Sequence, residues 1–430
     1  MRGSRVWQRL LGLSETVLEA VDLDEDEQVV VVSVRARKAA RRRCGRCGAK
    51  SPLYDRGEGR RRWRSLDVGE LRCYLEADCP RVSCGDHGPT VSEFPWARHS
   101  AGHTRAFDDQ VAWLACCTSK SAVVELMRVA WRTVGSIITR VVTDATAARD
   151  PLEGLSRIGI DEISYKKGYK YLTVVVDHDS GRLVWAYPGR DKQALARFFT
   201  ALGPARCKDI THISGDAAPY IENTAFEYCR GAVFCTDPFH VVSWATTALD
   251  NVRRDAWNEA RRSSDATGAK VIKGSRWALL KNPGSLTDRQ KTCLESLEAI
   301  NHVTFRAYLL KEQLRVVFAL RGPEAVDALR AWVTAAAESE IGHFIELADK
   351  VHANRHGIEA ALIHGLSNGL IESTNTKIRL ILRIGFGFKS PQAVIALAML
   401  KLGGNRPPLP GRSPILRPSS QRFLPARTHG

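Results

Sequence analysis

Two short pieces of the chain share one form: Cys44-Gly-Arg-Cys47-Gly48 and Cys84-Gly-Asp-His87-Gly88. Each sets two soft ligands three residues apart, with glycines that let the turn close on a cation. Together they supply four ligands, the closed tetrahedral set of a structural zinc. No other feature constrains the fold as much, because the chain must leave Cys47 and return at Cys84 with both turns facing one point. Cys79 is the rival fourth ligand, since Cys79 and Cys84 are also suitably spaced, whereas Cys73 reads as a strand residue. Cys116, Cys117, Cys207, Cys229, Cys235 and Cys293 are scattered, as buried thiols of a reducing compartment are. Thirteen Lys or Arg and only two acids, Asp55 and Glu58, lie between Arg35 and Arg64. That density beside a zinc module suits phosphate contact, and the net charge of +16 over 430 residues points to a polyanionic partner.

Residues 103–148 carry helical periodicity, with Phe107, Val111, Leu114 and Ala115 as one apolar stripe. Ser121–Arg128, a short turn at Val129-Ala-Trp, and Arg132–Arg140 read as helix, turn, helix. In a helix-turn-helix the start of the second helix, Arg132 and Thr133, enters the major groove. Asp150-Pro151-Leu-Glu-Gly154 then breaks the helix and marks a boundary. From Arg157 the period changes to that of strands. Segments 157–163, 169–176 and 182–187 read as three hairpin-like strands, followed by a helix over 192–202. A fourth strand over 209–214, a helix from Pro219 to Cys229 and a fifth strand over 232–236 complete a ribonuclease-H-like order. Asp161 in the first strand and Asp216 after the fourth fall in neighbouring strands of such a sheet. Glu162 competes with Asp161, and periodicity does not separate them. Asp177 and Asp179 sit in a hairpin turn, where Asp is common for structural reasons, and Asp209 reads as the start of a strand.

Glu372 is the only acid between Ala360 and Gly430, a stretch that holds ten Lys and Arg. On the helix expected after Ser367-Asn-Gly, it shares a face with Asn375, Thr376, Arg379 and Arg383, while Ile371, Ile378 and Leu382 could pack inward. No cation stands three or four residues away, so the carboxylate suits a metal, with the cations left for phosphates. Three carboxylates converging on one spot repel unless cations intervene, and oxygen ligands suit magnesium.

These pieces resemble the ISL3 family of bacterial DDE transposases over nearly the whole chain. The carrying residues are the paired knuckles, Gly159-Ile-Asp-Glu162, Ile213-Ser-Gly-Asp216, Asp237-Pro-Phe-His240, Trp277–Pro283, and Ser367–Lys377 running on to Gly385-Phe-Gly-Phe388. The resemblance implies that Asp161, Asp216 and Glu372 hold two Mg2+ (or Mn2+) ions. It implies a helical insertion over about 241–365, with helical patterns at Ser243–Arg262 and Glu295–Leu320. Asp237 and His240 would support the site or the DNA end without ligating the metals, and Asn375 would contact DNA or a metal-bound water. Lys377, Arg379 and Arg383 would hold phosphates. The expected organisation is an N-terminal strand region and zinc module over 1–98, a helix-turn-helix over 99–150, a catalytic α/β domain over 151–402, and a disordered basic tail over 403–430. The expected function is DNA transposition. The enzyme would bind terminal inverted repeats and target double-stranded DNA, as a homo-oligomer, in the bacterial cytoplasm at the nucleoid. The competing readings are a non-enzymatic zinc and helix-turn-helix regulator and a nuclease built on the same sheet.

Overall fold

A computed structural model describes residues 2–366 and 368–412. Ser367 and residues 413–430 of the expected basic tail lie outside the described residues. The chain divides into two compact units, residues 1–148 with 399–430, and residues 149–398.

The first unit begins with α1 (Arg2–Leu10), β1 (Thr16–Asp24), β2 (Val29–Ala36), β3 (Leu53–Asp55), β4 (Arg60–Arg64), β5 (Arg72–Asp78), β6 (Arg81–Cys84) and β7 (Gly88–Val91). One sheet has the order β1-β2-β5-β4, and a second, β3-β6-β7, carries the zinc turns. β2 alternates in burial because one face packs inward: Val30, Val32 and Val34 meet Cys73, Leu75 and Trp63. Trp63, Phe94 and Trp96 pack tilted and edge-on, with centroids 4.7–5.6 Å apart, and close that core. Three helices follow: α2 (Arg105–Ala115), α3 (Lys120–Met127) and α4 (Trp131–Ala148). Thr104 and Ser119 cap α2 and α3 with their hydroxyls, and Arg128 in left-handed conformation ends α3. The turn is therefore Arg128–Ala130, one residue earlier than expected, and Trp131 already belongs to α4. A fully buried carboxylate locks the helices: Asp108 takes two 2.9 Å hydrogen bonds from Arg140, and Arg98 lies 3.6 Å away.

The second unit opens with β8 (Arg157–Lys166), β9 (Lys170–Asp177) and β10 (Leu183–Pro188), then α5 (Lys192–Leu202), α6 (Pro204–Cys207), β11 (His212–Gly215), α7 (Pro219–Tyr228) and β12 (Val233–Thr236). The sheet order is β10-β9-β8-β11-β12, antiparallel over the first three strands and parallel from β8 to β12. Ile158, Ile160 and Ile213 bury one face against Leu195, Phe198 and Ile221 of α5 and α7. By strand alternation, Gly159, Asp161 and Ser214 point to the other face. Asp209, expected to start a strand, lies instead in the turn after α6, its N–H bonded to Arg206 O.

Helices then run from α8 (Pro238–Arg262) through α9 (Ala266–Gly274), α10 (Arg276–Leu280), α11 (Asp288–Ile300), α12 (His302–Val317), α13 (Pro323–Ala337), α14 (Gly342–Ala353) and α15 (Arg355–His364). Their shared core includes Leu249, Leu279, Leu297, Leu314, Trp332 and Phe344. The single helical pattern read over 295–320 is two helices, because the Asn301 side chain caps α12 by accepting from Thr304 N–H. α16 (Gly369–Ile384) then packs on β8 and β9, and α17 (Pro391–Leu402) follows. The chain thereby returns to the first unit. Part of the tail expected to be disordered is placed there: Arg406 lies 4.3 Å over the Trp113 ring and donates to Cys117 Sγ. No helix among the described residues is long and apolar enough to cross a membrane.

Removing Asp108 leaves two arginines facing a buried gap. Asp108→Ala is expected to destabilise the first unit by about 3–5 kcal/mol. Scanning calorimetry of the full chain should show its melting lowered by roughly 6–20 °C.

Candidate functional site

Two places gather chemistry-bearing side chains, one in each unit. In the first, Cys44 and Cys47 stand in the loop before β3, Cys84 ends β6 and His87 lies in the β6–β7 turn. Gly48 and Gly88 both adopt left-handed backbone, which only glycine takes without strain, so each turn closes behind its second ligand. The four ligand atoms all lie within 4.8 Å of one another. The contacts are Cys47 Sγ to Cys84 Sγ at 3.7 Å, Cys44 Sγ to His87 Nδ1 at 3.7 Å and Cys84 Sγ to His87 Nδ1 at 3.6 Å. A tetrahedron built on Zn–S bonds of ~2.3 Å has edges of about 3.8 Å, so the residues fit zinc. The hydrogen bond from His87 holds the Cys84 thiol down at about 6, towards the thiolate that a metal requires. Cys79 is not in the group; its thiol lies against Ala77 O and packs on the sheet core. Cys73 is fully buried in β5.

In the second unit, Asp161 sits on the face of β8 that α16 covers. Asn375 of α16 donates to Asp161 Oδ2 at 2.7 Å, and Glu162 N–H donates to Oδ1 at 2.7 Å. The Glu162 carboxylate instead pairs with Arg190 at 3.1 Å, which separates the two adjacent acids. Asp216 follows β11, the parallel neighbour of β8, and takes a 2.8 Å bond from His240 Nδ1. Asp237 caps α8, accepting from Phe239 N–H and Asn368 N–H at 3.3 Å, and is almost fully buried. Glu372 stands half-buried in the first turn of α16 and forms no ion pair among the described residues.

The charges of these groups are felt mutually. Burial raises the Asp161 carboxyl to about 6. Burial pushes Asp216 up too, but the hydrogen bond and charge of His240 more than offset it and hold the group below the usual carboxylate range. The same hydrogen bond raises His240. Burial raises Asp237, and burial with the charge of Asp237 raises Glu372, against His240 and Arg379. Four carboxylates thus share one imidazole, a surplus of negative charge that divalent cations would neutralise. Among the described residues the only group of three or more candidate ligands within 4.8 Å is the Cys/His set, so Asp161, Asp216 and Glu372 do not close to that distance. Asp237 Oδ2, Asn375 Oδ1 and Asn368 Nδ2 are buried without a hydrogen-bond partner, although His240 Nε2 lies 3.8 Å from Asp237 Oδ2.

Three residues beside these acids have no role that the sequence discloses. His178 Nε2 lies 2.7 Å from Ser214 Oγ, and Ser214 donates to Asn368 Oδ1. Gly159 makes the room, since a Cβ there would stand 3.0 Å from His178 Nε2. Ser214 and Asn368 lie in segments that stand out for their acids, but nothing in either segment signals a partner so distant in sequence. Asp177 and Asp179 are structural, as expected: Asp177 takes the N–H groups of its own turn and Asp179 pairs with Arg157. Lys377, Arg379 and Arg383 are exposed on α16 and unpaired among the described residues. Arg132 is exposed and Thr133 half-buried at the start of α4.

Comparison with known proteins agrees in three segments. Residues 158–398 match the transposase profile of family ISL3, residues 92–142 the helix-turn-helix domain of that transposase family, and residues 40–87 the zinc finger of transposases IS204/IS1001/IS1096/IS1165. The transposase for insertion sequence element IS1557 of Mycobacterium tuberculosis is 54% identical over 436 residues, covering 96% of this chain and 98% of that protein. The transposase for insertion sequence element IS1001 of Bordetella parapertussis is 27% identical over 352 residues, covering 81% and 86%.

Metal analysis of the purified protein should find one zinc per chain. Cys79→Ser should retain it and His87→Ala should lose it; the reverse pattern would exclude His87 as the fourth ligand.

Proposed function

This chain belongs to the ISL3 family of transposases, and on that premise we propose a division of labour among its parts. The zinc module and helix-turn-helix bind the terminal inverted repeats of an insertion sequence, with Arg132 and Thr133 at the groove. The second unit cuts a DNA strand to free a 3′-hydroxyl and joins that hydroxyl to target DNA. The strand order β10-β9-β8-β11-β12, with its change from antiparallel to parallel at β8, supports a ribonuclease-H-like reading of this unit. One observation carries the assignment of the site. Asn375, one turn beyond Glu372, is hydrogen-bonded to Asp161, whose neighbouring strand leads to Asp216.

Asp161, Asp216 and Glu372 would hold a pair of magnesium ions. Such ions supply Lewis acidity, lower the pKa of water and clamp the attacking and leaving oxygens of an in-line displacement. The chain's own residues orient that chemistry. Asn375 fixes the Asp161 carboxylate from one side and the Glu162 N–H from the other. His240 keeps Asp216 ionised and fixes its rotamer. Asp237 bonds the Asn368 N–H at the start of α16, and so sets where Glu372 begins. Lys377, Arg379 and Arg383 line the exposed side of the same helix and would grip phosphates. Two ends must be joined, so the working form is an oligomer on DNA, in the cytoplasm where the nucleoid lies.

The test is joining of a precut end with magnesium present. Glu372→Gln, Asp161→Asn and Asp216→Asn should each reduce joining by at least about a hundredfold while leaving DNA binding intact. Cleavage without joining in the wild type would indicate a nuclease. Binding without cleavage would indicate a regulator.

A further inference from the structure

Two aromatic side chains stand almost entirely in water on the second unit. Tyr169 is 91% exposed and Phe386 is 99% exposed. Both hold left-handed backbone, with φ of 58° and 49°. Bulky L residues avoid that region, so these conformations are strained. Each ring stands beside a left-handed glycine, Gly168 (φ 84°) or Gly387 (φ 91°). The turn after α16 shows how one ring is put out. A Cβ on Gly385 would lie 2.7 Å from the Phe388 ring, so only glycine lets Phe388 fold back on the helix end. Phe388 is thereby half-buried and Phe386 projects. Tyr169 occupies the tip of the β8–β9 hairpin.

Cations lie near both rings in the sequence. Lys166, Lys167 and Lys170 flank Tyr169, and Arg379, Arg383 and Lys389 flank Phe386. All six are exposed, and none forms a salt bridge among the described residues. The hairpin register sets Lys166 directly across from Lys170. Like charges in that position destabilise a hairpin, and an anion relieves the cost.

The two tips also lie at one end of the site. Leu370 packs beside Gly181 in the β9–β10 turn, level with the start of β8, and Asn375 reaches Asp161. Helix α16 therefore runs in the direction of β8. Beyond Asn375 the helix climbs about 14 Å to its end at Ile384, at ~1.5 Å per residue, and Phe386 follows in the turn that closes it. Beyond Asp161 the strand advances about 16 Å to Lys166, at ~3.3 Å per residue. Both tips project past the carboxylates, at the end towards which β8 and β11 run.

We propose that Tyr169 and Phe386 stack on unpaired bases of the DNA strand beside the scissile phosphate, while the six cations hold its backbone. Aromatic rings on a cationic surface match this ligand, because every base offers a π-face and every linkage a charge. An apolar protein surface would leave the cations without partners. Strand unpairing beside the cut also gives the strain at each tip a use, as wedges that hold opened base steps do. This inference rests on the transposase reading, and its test separates the two.

The probe is a duplex of the DNA flanking this reading frame, with 5-iododeoxyuridine placed singly within ten nucleotides of the element terminus. Irradiation links iodouracil to an aromatic ring stacked on it. The Glu372→Gln protein keeps the DNA uncut, and joining by the wild-type protein is measured in parallel on unsubstituted DNA. Cross-links should map to Phe386 or Tyr169. Phe386→Ala should lose its cross-link and bind a duplex with an unpaired end about tenfold more weakly. Phe386→Trp should retain both. Joining by the wild type together with cross-links only elsewhere, or with yields unchanged in Phe386→Ala and Tyr169→Ala, overturns the stacking and leaves the transposase reading standing. Absence of joining and of DNA binding removes both. Loss of a DNA-free dimer on Phe386→Ala, with cross-links unchanged, assigns the ring to a second copy instead.

Discussion

A single hydrogen bond, from the Asn375 amide to Asp161, joins residues 214 positions apart. It forms only if everything between them folds around it. The isoleucines of α16, Ile371, Ile378 and Ile381, bury as the helix packs on β8 and β9, and that apolar seat is what brings Asn375 to Asp161. The helix start is fixed separately, by Ser214 donating to Asn368 and by Asn368 N–H donating to Asp237. Strand β8, the end of β11, the cap of α8 and the first turn of α16 thus meet through side chains that are nearly all buried. In so dry a place each polar group without a partner is costly, so a rigid, specific arrangement is favoured over alternatives.

The Cys/His set and the carboxylates proposed to hold metal differ for an electrostatic reason. Two knuckles of cysteine and histidine can approach one another without a metal, and theirs stand at the spacing of a zinc tetrahedron. Carboxylates cannot, because each brings a full charge into a poorly solvated pocket. Asp161 responds by holding its proton more tightly, and Asp216 by taking His240 as a partner. A sulfur site is therefore legible as a closed figure, whereas an oxygen site is legible as a set of opposed charges held apart.

Much of this is readable in the residues, and the failures have physical causes. The knuckles are readable because their glycines and ligands repeat in form, and Gly48 and Gly88 indeed adopt the left-handed turns that the chemistry needs. The five strands are readable from their alternation, apart from Asp209, where a local turn after α6 outcompetes strand extension. Asn301 escapes notice because its effect is a cap, not a change in apolar period, and the pattern runs on across it. Glu162 and Asp161 are equivalent to any periodic argument; only the partner on the far side, Arg190 or Asn375, tells them apart. The Ser214–Asn368 contact is invisible because nothing local records a partner brought in by tertiary folding. Phe386 lies within a motif that carries the family resemblance, yet its exposure follows from how Phe388 packs, which spacing does not reveal.

The first unit is discontinuous: residues 1–148 are completed by a segment that begins at Met399, with Arg406 seated on Trp113. Synthesis therefore sets an order of events. At about 5–20 residues per second, some tens of seconds separate emergence of the zinc turns and the α2–α4 helices from arrival of their last piece. Throughout that interval the Trp113 and Cys117 surface has no Arg406 to cover it. A ribosome that terminates early in the second unit would release residues 1–148 without the segment that completes their unit.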